Sequence, residues 1–253
     1  MNKPYKVLCI PDMHCPFQDD LSLNALERYM ADSRFDEVIY IGDLLDFAQI
    51  SKFNKGSPQE ESRLVSDDYK IAGKILDRHI SIIKKNNRKA KFTLLEGNHE
   101  ERIERWLAQN PQVKGLVEVE VGLKLGERGI KWVRAWSKGE LYKIGKAYFT
   151  HGLYTNQYHA QKMVNNYGVN IYYGHTHDHQ SFSKVLKGKD KTIEGMSLGC
   201  VCEYDQSYMQ GRPSSWQQGF GVFYFDRNTG FFNRTFVGIF NHSFISPEGK
   251  FYD

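Results

Sequence analysis

The sequence predicts an α/β protein, and three observations predict it. Apolar strand-like runs alternate with amphipathic helical segments through the first half of the chain. The second half is mostly a succession of strand-like runs joined by turn-forming residues. Several of the runs end at once in Asp, Asn or His, which is where open α/β sheets carry their chemistry.

The elements follow in order. A strand at 6–11 leads to a helix from Asp19 to Ala31, capped by Asp19-Asp20, with Leu21, Leu23, Leu26 and Met30 as its apolar face. A strand at 37–41 comes next. Ser57-Pro58-Gln59-Glu60 reads as a capping box with proline at the first helical position. It opens a long helix to about Asn86, with Leu64, Ile71, Ile75, Leu76 and Ile83 expected to be buried.

A strand at 91–95 precedes a helix from Glu100 to Gln109, which Asn110-Pro111 stops and whose positive N-terminus Glu100 and Glu101 suit. Beyond it, strands are expected at 141–144, 147–150, 170–173, 182–187, 191–196, 220–226 and 231–239, interrupted by a helix near 157–167. Lys187-Gly188-Lys189-Asp190 and Asp226-Arg227-Asn228-Thr229-Gly230 read as hairpin turns. The stretch 199–219 is too long for a bare connection, and such loops are often functional.

The 253 residues suffice for a sizeable core, and one domain spanning 1–253 is expected. The net charge of +4 is spread among mixed signs, so it neither demands nor excludes a nucleic-acid partner. Cys9, Cys15, Cys200 and Cys202 show no CxxC spacing, which fits a reducing compartment and ordinary buried thiols. The N-terminal run has no secretory character and no stretch approaches a membrane span, so a soluble cytoplasmic protein without a membrane partner is expected.

The chemistry lies in Asp12-x-His14, Gly42-Asp43, Gly97-Asn98-His99-Glu100, His151-Gly152 and Gly174-His175-Thr176-His177. They follow the runs Val7 to Ile10, Val38 to Ile41, Phe92 to Leu95, Ala147 to Phe149 and Val169 to Tyr173. Taken singly, each pair is more often structural than catalytic. Together they suit phosphoester hydrolysis, which needs a nucleophile made from water and neutralisation of the phosphoryl oxygens, and two adjacent dications supply both.

In this order the motifs strongly resemble the calcineurin-like metallophosphoesterase family, over residues 12 to 177. The resemblance implies a four-layer α/β/β/α sandwich with two mixed sheets. It implies that Asp12, His14 and His177 bind one metal, that Asn98, His151 and His175 bind the other, and that Asp43 bridges them. His99 resembles the family's catalytic histidine, and Asp46 the carboxylate that orients it. Two divalent ions are expected, Mn²⁺ preferred, with Fe, Zn, Co or Ni also admitted by the donor set.

Around these, Arg102 is a candidate phosphate clamp, whereas Arg105 is accounted for by its i,i+4 spacing from Glu101. Tyr154, Tyr158, Tyr204, Tyr208 and Trp216 are candidates to rim the pocket and stack on a base, although loop packing explains them as well. His159 and His179 are read as lying outside the ligand set. Asp46 is followed by Phe47-Ala48 where the family's protein phosphatases carry Arg-Gly, and no capping domain like that of its repair nucleases is expected.

The sequence thus predicts a phosphodiesterase acting on a nucleotide or single-stranded nucleic acid. A phosphomonoesterase or protein phosphatase is the alternative, and a metal-binding scaffold without catalysis a more distant one. The general cast of the chain is similar to metallophosphoesterases of bacteriophages and prophages.

Overall fold

The computed structural model describes residues 3–51, 63–189, 191–204 and 214–253. The Ser57–Glu60 box and Tyr208 lie outside the described residues. The chain runs β1 (Tyr5–Ile10), α1 (Asp20–Asp32), β2 (Glu37–Tyr40), α2 (Val65–Asn86), β3 (Lys91–Leu95), α3 (Glu100–Gln109), α4 (Val119–Gly122), α5 (Leu125–Arg128) and β4 (Ile130–Val133). It continues with β5 (Tyr142–Ile144), β6 (Ala147–Phe149), α6 (His159–Tyr167), β7 (Asn170–Tyr173), β8 (Ser181–Leu186), β9 (Lys191–Ser197), β10 (Gly219–Phe225) and β11 (Phe232–Gly238). The hairpin β12 (Phe244–Ile245) and β13 (Phe251–Tyr252) closes it.

The first sheet has the order β11-β10-β1-β2-β3-β4 and the second β5-β6-β7-β9-β8. In the first, β1 to β4 are parallel while β10 and β11 are antiparallel additions. In the second, β6, β7 and β9 are parallel, flanked by antiparallel β5 and β8.

Side-chain alternation along the strands, with its period of two, sorts the core into layers. Leu8, Ile10, Val38, Tyr40, Phe92 and Leu94 point to the side of α1 and α2, where they meet Leu23, Leu26, Ile75 and Leu76. The intervening Val7, Cys9, Ile39 and Ile41 point the other way and pack on Phe149, Tyr172, Met196 and Leu198 of the second sheet. On that sheet's far face Ile171 and Tyr173 meet Met163 of α6. The result is a four-layer α/β/β/α sandwich of two mixed sheets.

Asp19 caps α1 by accepting from Ser22 N at 2.9 Å. Leu23, Leu26 and Met30 are buried as expected, but Leu21 is exposed, because two residues before Leu23 is about 200° around the helix. The described helix α2 begins at Val65, and Leu64, at its N-cap, is exposed rather than part of the stripe. Strand β4 and the short helices before it have no counterpart in the sequence reading. Four residues of weak alternation are legible as a strand only once β3 lies beside them. All four cysteines are free and buried. Among the described residues no helix is long and apolar enough to cross a membrane.

Candidate metal centre

The parallel strands β1, β2, β3, β6 and β7 end at one edge of the sandwich, so the loops after them converge from both sheets. There, ligating atoms of Asp12, His14, Asp43 and His177 lie within 4.8 Å of one another, and so do those of Asp43, His151 and His175. Asp43 belongs to both groups. Asn98 joins the second, its Oδ1 lying 3.0 Å from His151 Nε2. A further group, His177 with Cys200 and Cys202, shares His177.

The histidines are aimed by their outer nitrogens. His151 Nδ1 donates to the Ile41 carbonyl at 2.9 Å, which leaves Nε2 facing Asn98 and Asp43 Oδ2, the latter at 3.3 Å. His14 Nδ1 faces Asp46 Oδ1 at 3.0 Å, and its Nε2 lies 3.0 Å from His177 Nε2. His177 Nε2 is 3.4 Å from Asp12 Oδ1, while its buried Nδ1 has no hydrogen-bond partner among the described residues. Buried carboxylate oxygens and imidazole nitrogens that converge this way suit divalent cations of the borderline type.

The backbone is bent to achieve this. His14, Asp43, His175 and His177 have φ of 48°, 48°, 70° and 58°, a left-handed region uncommon for residues with a Cβ. Two glycines admit the carboxylates. A Cβ on Gly174 would fall on Asp12 Oδ2, and one on Gly97 would fall on Asp43. Asp12 is further held by the His175 amide, at 3.0 and 3.1 Å from its two oxygens.

Glu100, which in sequence reads as a helix-end charge, is fully buried and accepts from the amides of Asp43, Leu45 and Gly97 at 2.8, 2.9 and 2.8 Å. It therefore ties the second motif loop to the third. Burial and the nearby Asp43 push its carboxyl up to about 7, against the pull of the amides.

Burial would also raise Asp43, but His151, His99 and His14 outweigh it and hold Asp43 well below the usual carboxylate range. Asp46 is likewise lowered against burial by hydrogen bonds from His14 and His99. His151 is pushed up to about 10 despite its burial, chiefly by Asp43. Burial and His151 push His175 down to about 4.

Asp46 serves two histidines. Besides His14, its Oδ1 lies 3.2 Å from His99 Nδ1, and its carbonyl accepts from that nitrogen at 2.8 Å. Arg102 donates to the same carbonyl at 2.8 Å and stands 2.8 Å from His99 Nε2. The residue after Asp46 is no arginine, and Phe47 turns into the core, but the fold brings a guanidinium to Asp46 from α3.

Arg105 pairs with Glu101 on an exposed helix face, as its spacing predicts. His159 bonds Tyr173 Oη and Asp178, and His179 stacks on Phe236 at 3.8 Å, so neither belongs to the clusters.

Of the aromatic candidates, Trp216 meets the His177 ring edge-on at 4.2 Å. Tyr154 turns instead toward α6. It packs with Met163 and Tyr173, its hydroxyl accepts from Asn166 at 2.6 Å, and Lys162 covers its ring. Tyr158 is an exposed residue before α6, and the Tyr204 hydroxyl accepts from Gln218 N at 2.8 Å.

Sequence reading misses Trp136, whose ring lies 5.1 Å from that of His175 and 5.8 Å from that of His151. Its turn is anchored by buried Glu96, which accepts from Ser137 N and Oγ at 2.8 and 2.6 Å and pairs with Arg134 at 3.1 Å. The one signal for it in sequence is a tryptophan shortly after an unassigned apolar run.

A buried edge of left-handed turns, with two groups of potential ligands sharing one carboxylate, suits a binuclear divalent-metal site. The calcineurin-like phosphoesterase family model matches residues 5–179, and the chain belongs to that family of metal-dependent phosphoester hydrolases. It is 24% identical over 238 residues to the Gene 54 protein of Mycobacterium phage D29, covering 88% of this chain and 90% of that one. It is 26% identical over 235 residues to the Gene 54 protein of Mycobacterium phage L5, covering 86% and 88%.

Among solved structures it is similar to Vps29 complexed with zinc from Entamoeba histolytica, at 13% identity and TM-score 0.46 over 94% of this chain and 95% of that one. It is also similar to Chaetomium thermophilum Vps29 (9%, TM-score 0.47, covering 98% and 90%). A third is the Pseudomonas putida nuclease MPE (15%, TM-score 0.36, covering 86% and 82%).

Proposed function

We propose that this protein, as a single catalytic domain over residues 1–253, is a phosphodiesterase for nucleotides or single-stranded nucleic acid, working with two divalent ions, Mn²⁺ preferred. The observation that carries the two-ion part is the membership of Asp43 in both ligand groups. Asp12, His14 and His177 would hold one ion and Asn98, His151 and His175 the other, with Asp43, which belongs to both groups, serving both. The ions supply a nucleophile made from water and neutralise the phosphoryl oxygens.

His99 then interacts with the phosphoryl group or, once Arg102 has left its Nε2 for the phosphate and that nitrogen has taken up a proton, gives the proton to the leaving oxygen; its Nε2 is 3.8 Å from Asp43 Oδ2. Asp46 is a positioning residue for His14 and His99 together. Arg102 stands beside His99, available to the phosphate. The preference for bases is supported by Trp216 and Trp136, which flank the two ligand groups on the His177 and His175 sides.

The test is a parallel assay of para-nitrophenyl phosphate, bis-para-nitrophenyl phosphate and a single-stranded oligonucleotide with Mn²⁺, Zn²⁺, Fe²⁺, Co²⁺ and Ni²⁺. The diesters should be turned over faster, most of all with Mn²⁺. A preference for the monoester overturns the diester reading.

A further inference from the structure

At the edge of the sandwich opposite the metal centre, where β6, β7 and β9 begin, the space between the sheets opens into a concavity of about 780 Å³. That is the size of a small-molecule site. Lys143 and Lys146 of the β5–β6 hairpin, Lys191 at the start of β9 and Arg234 of β11 stand around it, with ring faces from Tyr148 and Phe231.

Among the described residues the charge there is not balanced. The lining carboxylate, Glu194, is engaged by Arg234 and by the Tyr172 hydroxyl at 3.1 Å. Among the described residues Lys143, Lys146 and Lys191 have no ion-pair partner. Lys146 Nζ instead lies 3.4 Å from the centre of the Phe231 ring, and Lys143 Nζ 5.1 Å from that of Tyr148.

The wall is also held in shape. Lys146 N donates to the Gly230 carbonyl at 3.1 Å and its own carbonyl accepts from Asn170 Nδ2 at 3.1 Å, so both backbone groups of this lysine are fixed. Gly145, at φ 53°, lets the Gly230 carbonyl oxygen come within 2.6 Å of where a Cβ would be. Two turns from different sheets are thereby docked against each other, and the ammonium groups are presented from a rigid frame.

We propose that this concavity is a second binding site, remote from the metals, for phosphate groups carried on a base: a nucleotide, free or within a single strand. The ammoniums, without a carboxylate partner among the described residues, match phosphate; a bound phosphate would draw Lys143 and Lys146 off the Tyr148 and Phe231 rings and leave those faces to a base, the combination by which single strands are held without sequence readout. An acidic peptide would use the cations but not the rings. Binding here is independent of what the metal centre hydrolyses.

The test uses the full-length, metal-loaded protein with His99→Ala as a common background to slow turnover. Binding of a labelled twelve-nucleotide single strand is read by anisotropy, with mononucleotide, inorganic phosphate and polyglutamate as competitors. Lys143→Glu/Lys146→Glu/Lys191→Glu should weaken binding by on the order of 30-fold or more and flatten the salt dependence by roughly 0.7 for each phosphate left without its lysine. The corresponding Gln variants should weaken it less, in the same order, and Lys124→Glu, at the N-cap of α5 and outside the lining of the concavity, should not matter.

Competition by mononucleotide identifies the free nucleotide as sufficient, and competition only by the strand identifies the polymer. With His99 restored, bis-para-nitrophenyl phosphate turnover should stay within about twofold of the unmutated chain, as expected of surface changes. Unchanged strand affinity in the triple variant overturns the proposal. So does displacement by polyglutamate as effective as by the strand, or a parallel fall in diester turnover, which would trace the weaker binding to a damaged fold.

Discussion

Arg102 Nη2 lies 2.8 Å from His99 Nε2, and because a guanidinium can only donate, the imidazole accepts there and carries its proton on Nδ1, toward Asp46. One hydrogen bond thus selects the tautomer of the candidate catalytic histidine. Arg102→Ala should leave metal content unchanged and lower kcat/KM by about 10- to 100-fold, the equivalent of a charged hydrogen bond of about 1.5–3 kcal/mol. Steady-state kinetics beside metal analysis would show it. Full activity would mean that the guanidinium only packs.

His99→Ala should keep both ions yet lose on the order of 10²- to 10⁴-fold in rate. The loss should shrink for esters with good leaving groups, which need no proton. Loss of metal instead would make His99 a ligand.

Asp43→Asn should deplete both ions and abolish turnover, whereas His175→Ala should deplete mainly one, as read by mass-spectrometric metal counting. Two ions per chain and normal activity in Asp43→Asn would end the two-metal reading.

Metal uptake should release a proton near neutral pH. With His151 pushed up to about 10, its Nε2 must lose a proton to bind a cation, while His175, pushed down to about 4, is already neutral. Apparent affinity at that position should therefore rise with pH, by roughly tenfold per unit for a single proton, up to about pH 10. Calorimetry in buffers of different ionisation enthalpy measures the proton directly, and none released would refute the assignment.

Gly174→Ala and Gly97→Ala should each destabilise by about 1–3 kcal/mol or more, because the new methyl falls on Asp12 or Asp43. Gly126→Ala, with nothing within 4 Å of the added carbon, should change thermal stability little.

The candidate ligands are legible in the sequence because each lies within a few residues of the end of its strand, where local order largely determines which residue reaches the edge. Elements with strong periodicity, such as α3 and β3, are legible for the same reason. What depends on one element docking against another is not. Glu100 looks like a helix-end charge until the loop of Asp43 is laid over it, and Arg102 reaches Asp46 only across a gap of more than fifty residues. Trp136 follows a strand that exists by virtue of its neighbour. Tyr154 misleads in the other direction, since nearness to His151 in sequence says nothing of the helix it turns to pack on.

The left-handed backbone at His14, Asp43, His175 and His177 has a consequence for how the protein ages and evolves. Each such residue costs on the order of 1 kcal/mol where glycine would not, so together they weigh against a net stability of only about 5–15 kcal/mol. Cations that bind the native arrangement oppose that cost by mass action. Chelation should therefore loosen the molecule first at these four turns, visible as faster amide exchange there than in the strands beneath. A lineage released from catalysis should drift toward glycine at the same positions and gain heat resistance as it loses its chemistry.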